Sequence, residues 1–184
     1  MKMRIKALDY LEFKGLRANR GHPFIDIIGE LLDYKNASCR ALNRLFDQIS
    51  SIFEFVYISP YYSYKDASVF PKFALLPVLI VLSYYEPEQW YEVKCGRSFS
   101  FVYDLASHSE RFLNQLDSSV IEINESTSNE SLISEKSRRA FVEGVCALIY
   151  NGKLNDPRVE AVNKGPFLFA NTFADVFFTL RVQE

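Results

Sequence analysis

Two histidines, three cysteines and a scatter of arginines are the side chains of this 184-residue chain with types suited to chemistry near neutral pH. His22 lies in Arg20-Gly-His-Pro23, where a glycine-flanked loop can present a general base to a substrate. No nucleophile or carboxylate stands at a spacing that would complete a catalytic set around it, and His108 is equally alone. A structural role is the weightier reading for both. Cys39, Cys95 and Cys146 are odd in number and far apart. None has a second cysteine two residues away, as zinc or a redox pair would require, so three buried thiols are expected. A Walker A loop, GxGxxG, GxSxG and HExxH are all missing from the sequence. The expectation is a protein that is not an enzyme and carries neither cofactor nor metal.

The basic residues pose a different question. Residues 1–23 form a basic N-terminal arm with a charge of +4, whereas the remainder carries −6. Arg17 and Arg20 on that arm, Arg40 and Arg44 one helical turn apart, and Arg138 and Arg139 together make a candidate patch for phosphate or nucleic acid. The blander alternative is a set of solvated helix faces. A net charge of −2 and a pI near 5.8 favour that alternative for most of them, because a nucleic-acid binder usually has a basic excess. Any such DNA contact is expected to be indirect, shared with a partner.

Composition limits the architecture that could position these groups. Apolar residues make up 48% and aromatics 15% of the chain, too many for a disordered protein, and the length suits one domain over 1–184. The Met-Lys-Met-Arg-Ile-Lys start runs into Asp9, Glu12 and Lys14 rather than an apolar stretch, so no signal peptide and a cytoplasmic location are expected. Residues 69–85 are the one stretch resembling a membrane span. Lys72 and Pro77 interrupt it, and its uncharged part falls short of the roughly 20 residues that a bilayer needs, so no membrane association is expected.

The centre of the chain is the run from Phe73 to Leu82, ten apolar residues that cannot form a two-faced surface helix. It predicts a central helix buried on most sides, kinked by Pro77 or beginning near it. Before it, Phe24, Ile27, Ile28, Leu31 and Leu32 predict a short amphipathic helix after Pro23. A longer helix beginning near Ser38 carries Leu42, Leu45, Phe46, Ile49, Phe53 and Val56 on one stripe. Residues 8–13 read as a short strand or an entry arm. A short helix holds Trp90 in 86–95, and the segment from Phe99 to Leu105 suits helix or strand. A helix follows over 109–116, then a polar loop over 117–135, exposed and free to move. A further helix ends at Asn151-Gly152, and a short helix and an aromatic segment close the chain. The fold class is mainly α, a single compact helical domain around a buried apolar helix, with room for a short strand or hairpin.

Four stretches in order carry a family resemblance. They are Arg20-Gly-His-Pro-Phe24 leading into a helix that ends near Tyr34, then Pro71-Lys-Phe-Ala-Leu-Leu-Pro-Val-Leu-Ile-Val-Leu-Ser83, then Arg97-Ser-Phe-Ser100, and the helix of 138–150 running into Asn151-Gly-Lys-Leu154. The chain thereby resembles the middle-component proteins of three-component ABC-ATPase systems, the group that includes the small subunit of Lamassu-type anti-phage defence. It departs from them in a longer region between Tyr34 and Pro71, and in Ser83-Tyr-Tyr85 where many members carry a histidine. The resemblance implies a non-catalytic adaptor. Such a subunit joins a coiled-coil, SMC-like ABC ATPase to an effector, often a nuclease, and restrains it until foreign DNA is sensed. No catalytic residues transfer with it. The competing reading is a small helical inhibitor or immunity protein that binds one partner. The adaptor reading expects His22→Ala to be tolerated, whereas an enzyme built on His22 or His108 would lose its activity on substitution.

Overall fold

The computed structural model describes residues 6–15, 22–57, 71–124 and 133–151, and every side chain from Phe73 to Leu82 is buried. The apolar run opens with a π-helical turn at Pro71–Leu75 and continues as α4, Leu76–Tyr85. Pro77 explains the division. It has no N–H to give the Phe73 carbonyl four residues back, and it sits in the first turn of the regular helix, where a missing donor costs nothing. The expected kink is therefore a change of helix type just upstream of the proline.

A helix that is apolar all round needs neighbours on every side, and the rest of the chain supplies them. Helix α2, Pro23–Tyr34, lies along α4 and the π turn and buries Phe24, Ile25, Ile27, Ile28, Leu31 and Leu32. Helix α5, Pro87–Lys94, folds back from Glu86 and presses Trp90 and Val93 inward, and α6, Ser100–Ala106, covers a further side. The last two described helices are α7, Glu110–Asn124, which packs on α2, and α8, Glu135–Asn151, which packs on α6 and α7. The fold is mainly α, and the described residues hold no strand.

Two expectations are corrected and one open alternative is resolved. Residues 7–13 form neither a strand nor an arm but a helix, α1 (Ala7–Phe13), because Ala7 and Leu11 are one turn apart and both reach the core. Its first amide, on Ala7, donates to Asp33 Oδ1 on α2 at 2.9 Å. Gly29 lets the two helices close up, since a Cβ there would lie 3.3 Å from the Cβ of Leu8. The segment from Phe99 to Leu105 resolves as helix, burying Val102, Tyr103, Leu105 and Ala106. The polar loop expected over 117–135 is helical through Asn124 and again from Glu135, and its centre lies outside the described residues. Leu116 and Val120 continue a buried stripe there, and Ser118 and Ser119 return their hydroxyls to the carbonyls of Asn114 and Gln115. Serine content misleads in that segment because the hydroxyls are satisfied within the helix.

Helix α3, Cys39–Tyr57, begins as its stripe predicts, with Ser38 Oγ accepting from the Ala41 amide at 3.2 Å and Leu42, Leu45 and Ile49 buried. The side chains of Phe53 and Val56 lie outside the described residues, as do the closing short helix and aromatic segment expected after Asn151.

Helix α5 stops at Gly96, which has φ +69°. The Gly96 amide donates to Val93 O and the Arg97 amide to Glu92 O, a paired C-terminal cap that needs a left-handed residue at this position. Space is also limiting, because a Cβ on Gly96 would lie 2.6 and 2.9 Å from Cζ and Cδ1 of Tyr150. Tyr150, in turn, leans on Phe99 with ring centroids 5.9 Å apart, so the end of α8 is seated on the α5–α6 turn. Gly96→Ala is expected to cost about 2 kcal/mol or more, from left-handed strain plus overlap, and to lower Tm by about 4–8 °C. In a Tyr150→Ala background the same substitution should cost less, and a double-mutant cycle by thermal unfolding would read that coupling.

Candidate functional site

His22, Asp26 and Glu30 stand four residues apart, so α2 presents them as one stripe, and that stripe meets the start of α7. At its far end, Glu30 Oε2 accepts from the Ser109 hydroxyl at 2.6 Å and from the Arg111 amide at 3.1 Å. Ser109 Oγ accepts in turn from the Phe112 amide at 3.0 Å, the usual capping geometry for the first turn of a helix. Helix α7 thus receives a hydroxyl from its own chain end and a carboxylate from another helix, both where the macrodipole favours negative charge. The result is a junction rather than an exposed cleft, since Ser109 is fully buried and Phe112 enters the core. Asp26 Oδ2 lies 3.7 Å from Arg111 Nε, which holds the arginine over the middle of the stripe.

His22 occupies the near end. Its Nδ1 accepts from the Phe24 amide at 3.2 Å, capping α2 one residue before Pro23. The ring is 2% exposed and meets Phe73 edge-on at 5.0 Å. Burial, and secondarily the charge of Arg111, lowers its pKa to about 4, so the imidazole is neutral at pH 7. A structural role was the weightier sequence expectation, with a base presented from an open loop as the minor alternative. The structure encloses the ring and commits its accepting nitrogen to a backbone amide, because Pro23 opens a helix whose N2 amide needs an acceptor. His22→Ala is accordingly not a silent probe of function, as it would remove a cap and empty a core position. His108 is exposed and stacks flat on Tyr34, with centroids 3.7 Å apart and ring planes 12° from parallel.

The cysteines are likewise redistributed. Only Cys146 is the buried thiol expected of all three, and burial, followed by the charge of Glu143, pushes its pKa up to about 12. Cys39 is exposed at the start of α3, off the buried stripe, and Cys95 is half-buried at the end of α5. No group of three or more His, Cys, Asp or Glu residues is placed to hold a metal among the described residues.

The six arginines of the candidate patch do not behave alike. Arg138 makes a two-pronged pair with Asp117, its Nε at 2.7 Å from Oδ1. Arg139 bonds Asp104 at 2.8 Å, lies 4.0 Å from Glu135, and covers the Tyr103 ring at 4.9 Å. These two fasten α8 to α7 and α6, which sequence spacing could not reveal because the acids are 21 or more positions away. Arg40 and Arg44 are exposed on the polar face of α3, with no acidic partner among the described residues. Arg17 and Arg20 lie outside the described residues.

Asp26, Glu30, Ser109 and Arg111 escaped the sequence reading. The four-residue spacing of His22, Asp26 and Glu30 and the Ser109-Glu110 helix start were visible signals, but only tertiary packing joins them. No family model, curated protein or solved structure matches the chain. No described helix is long and apolar enough to cross a membrane.

Ser109→Ala should destabilise the fold by about 1–2 kcal/mol, since it removes a cap and takes a donor from the Glu30 carboxylate. Ser107→Ala, which removes a hydroxyl bonded to Asp104 O at the surface, should cost under about 0.5 kcal/mol. Urea unfolding of the two variants side by side tests the difference.

Proposed function

We propose that this protein is a non-catalytic adaptor subunit of a cytoplasmic anti-phage or anti-plasmid defence complex, joining an SMC-like ABC ATPase to an effector and helping to restrain it. The reading rests on the four-stretch resemblance to middle-component proteins and on one structural observation. That observation is the presence of interface-type side chains exposed on packed helices. Phe13 is 84% exposed on α1, and Arg40 and Arg44 project from α3, which packs on α1. Tyr34 at 45% and Tyr91 at 50% add further aromatic surface. Aromatic and arginine side chains contribute most of the energy in protein interfaces, because each brings large contact area with a polar handle. Arginines without an acidic partner among the described residues suit carboxylates or phosphates on a neighbour.

The test is purification of the tagged protein from its native host, with sizing and mass spectrometry of what accompanies it. Co-elution of a large ATPase and an effector in fixed ratio is the expected outcome. Elution as a lone monomer removes the adaptor reading, and a one-to-one complex with a single partner moves it to an inhibitor or immunity protein. The double variant Arg40→Glu with Arg44→Glu should lower partner recovery at least tenfold, corresponding to a loss of about 1.4 kcal/mol or more, while thermal unfolding stays near that of the parent.

A further inference from the structure

The seam between α2 and α7 has a property that goes beyond the proposed adaptor role. Asp26 and Glu30, one turn apart on α2, hold the first turn of α7, and His22, one turn before them at the N-cap, holds the start of the same helix as those two carboxylates. Glu30 accepts from Ser109 and from the Arg111 amide, Asp26 faces the Arg111 side chain, and His22 caps α2 through an unprotonated Nδ1. We propose that this seam is an acid-sensitive latch, in which protonation of His22 frees the start of α2 and the first turn of α7 while the α4 core stays folded.

The geometry gives the latch its direction. A proton on Nδ1 removes the acceptor that the Phe24 amide uses, and it places a cation near Arg111 within a buried pocket closed by Phe73. Phe73 from the π turn and the charge of Arg111 from α7 face the ring, while Asp26 and Glu30, one and two turns along its own helix, face Arg111 and Ser109. Helix α4 carries no charged residue, and α1, on the flank of α2, carries Asp9 and Glu12. Of the charged groups, Arg111 is the one that acts on the ring, and it disfavours the imidazolium. The folded pKa, about 4, is below the unfolded value of 6.5. The stabilisation is therefore complete above pH 6.5 and is lost progressively as pH falls toward 4. Helix α4 has no titratable side chain between Leu76 and Ser83, so its packing does not respond directly over that window.

Amide hydrogen exchange of the full chain, corrected for intrinsic rates, tests the latch at pH 7 and pH 5. Opening of residues 22–28 and 109–116 should rise up to about 20-fold between these values, and 76–85, which opens only with the whole fold, should stay the better protected segment at both. His22→Asn supplies a good capping side chain that does not titrate, and should abolish the rise. A rise that persists in His22→Asn, or protection of 22–28 and 109–116 that equals that of 76–85 at pH 5, overturns the proposal. Because the chain has only two histidines, NMR titration of the His22 ring in the parent protein gives an independent reading. Titration near 4 supports the latch, and titration near 6.5 overturns it even if the variant does not fold.

Discussion

The rest of the structure depends on the burial of α4 and the π turn before it. Ten consecutive apolar side chains have no polar direction to turn toward water, so the segment is stable only inside a jacket of other helices. Each buried Leu, Ile or Val contributes about 1.5–3 kcal/mol relative to exposure. The run therefore dominates the favourable side of folding and dictates where α2, α5 and α6 must lie. Pro77 sets where the regular helix begins, and the wider turn upstream accommodates the donor it lacks.

Around that dry centre, the polar groups act as fasteners. Carboxylates on α2 cap α7 and α1, and Asp104 and Asp117 hold α8 through Arg139 and Arg138. Capping across helices suits short helices, whose first amides and last carbonyls make up much of their backbone. An acceptor borrowed from a neighbour satisfies those groups and fixes the neighbour's orientation together. This explains why the groups that look reactive in the sequence have little chemistry left to do. His22 and Cys146 have been drawn into the core, and Arg138 and Arg139 into ion pairs. Among the described residues, the outward-facing side chains include Phe13, Tyr34, Tyr91 and the Arg40–Arg44 pair, which are equipped for contact.

Much of the fold was legible because helical period and burial coincide. The stripe of α3, the apolar spine, the helix after Pro23 and the helix ending at Asn151 all follow from spacing alone. Legibility failed where local signals conflicted with packing. Serines over 118–119 read as loop, yet their hydroxyls are satisfied by carbonyls four residues back. The alternating aromatics at Phe99, Phe101 and Tyr103 suit a strand, yet the surrounding core accepts only a helix with Val102, Tyr103 and Leu105 turned inward. Glycines near residues 15 and 21 obscured α1, whose two buried positions are too few to show as a stripe.

The sequence by itself determined an α-helical chain organised about one apolar segment, because periodicity and burial are properties of neighbours along the chain. Tertiary structure alone decided what the ionisable groups do. Whether a histidine is a base or a cap, and whether an arginine is available or spent, depends on partners tens of residues away. The meeting of Glu30 with Ser109 spans 79 positions, and a one-dimensional pattern holds no record of that distance being closed.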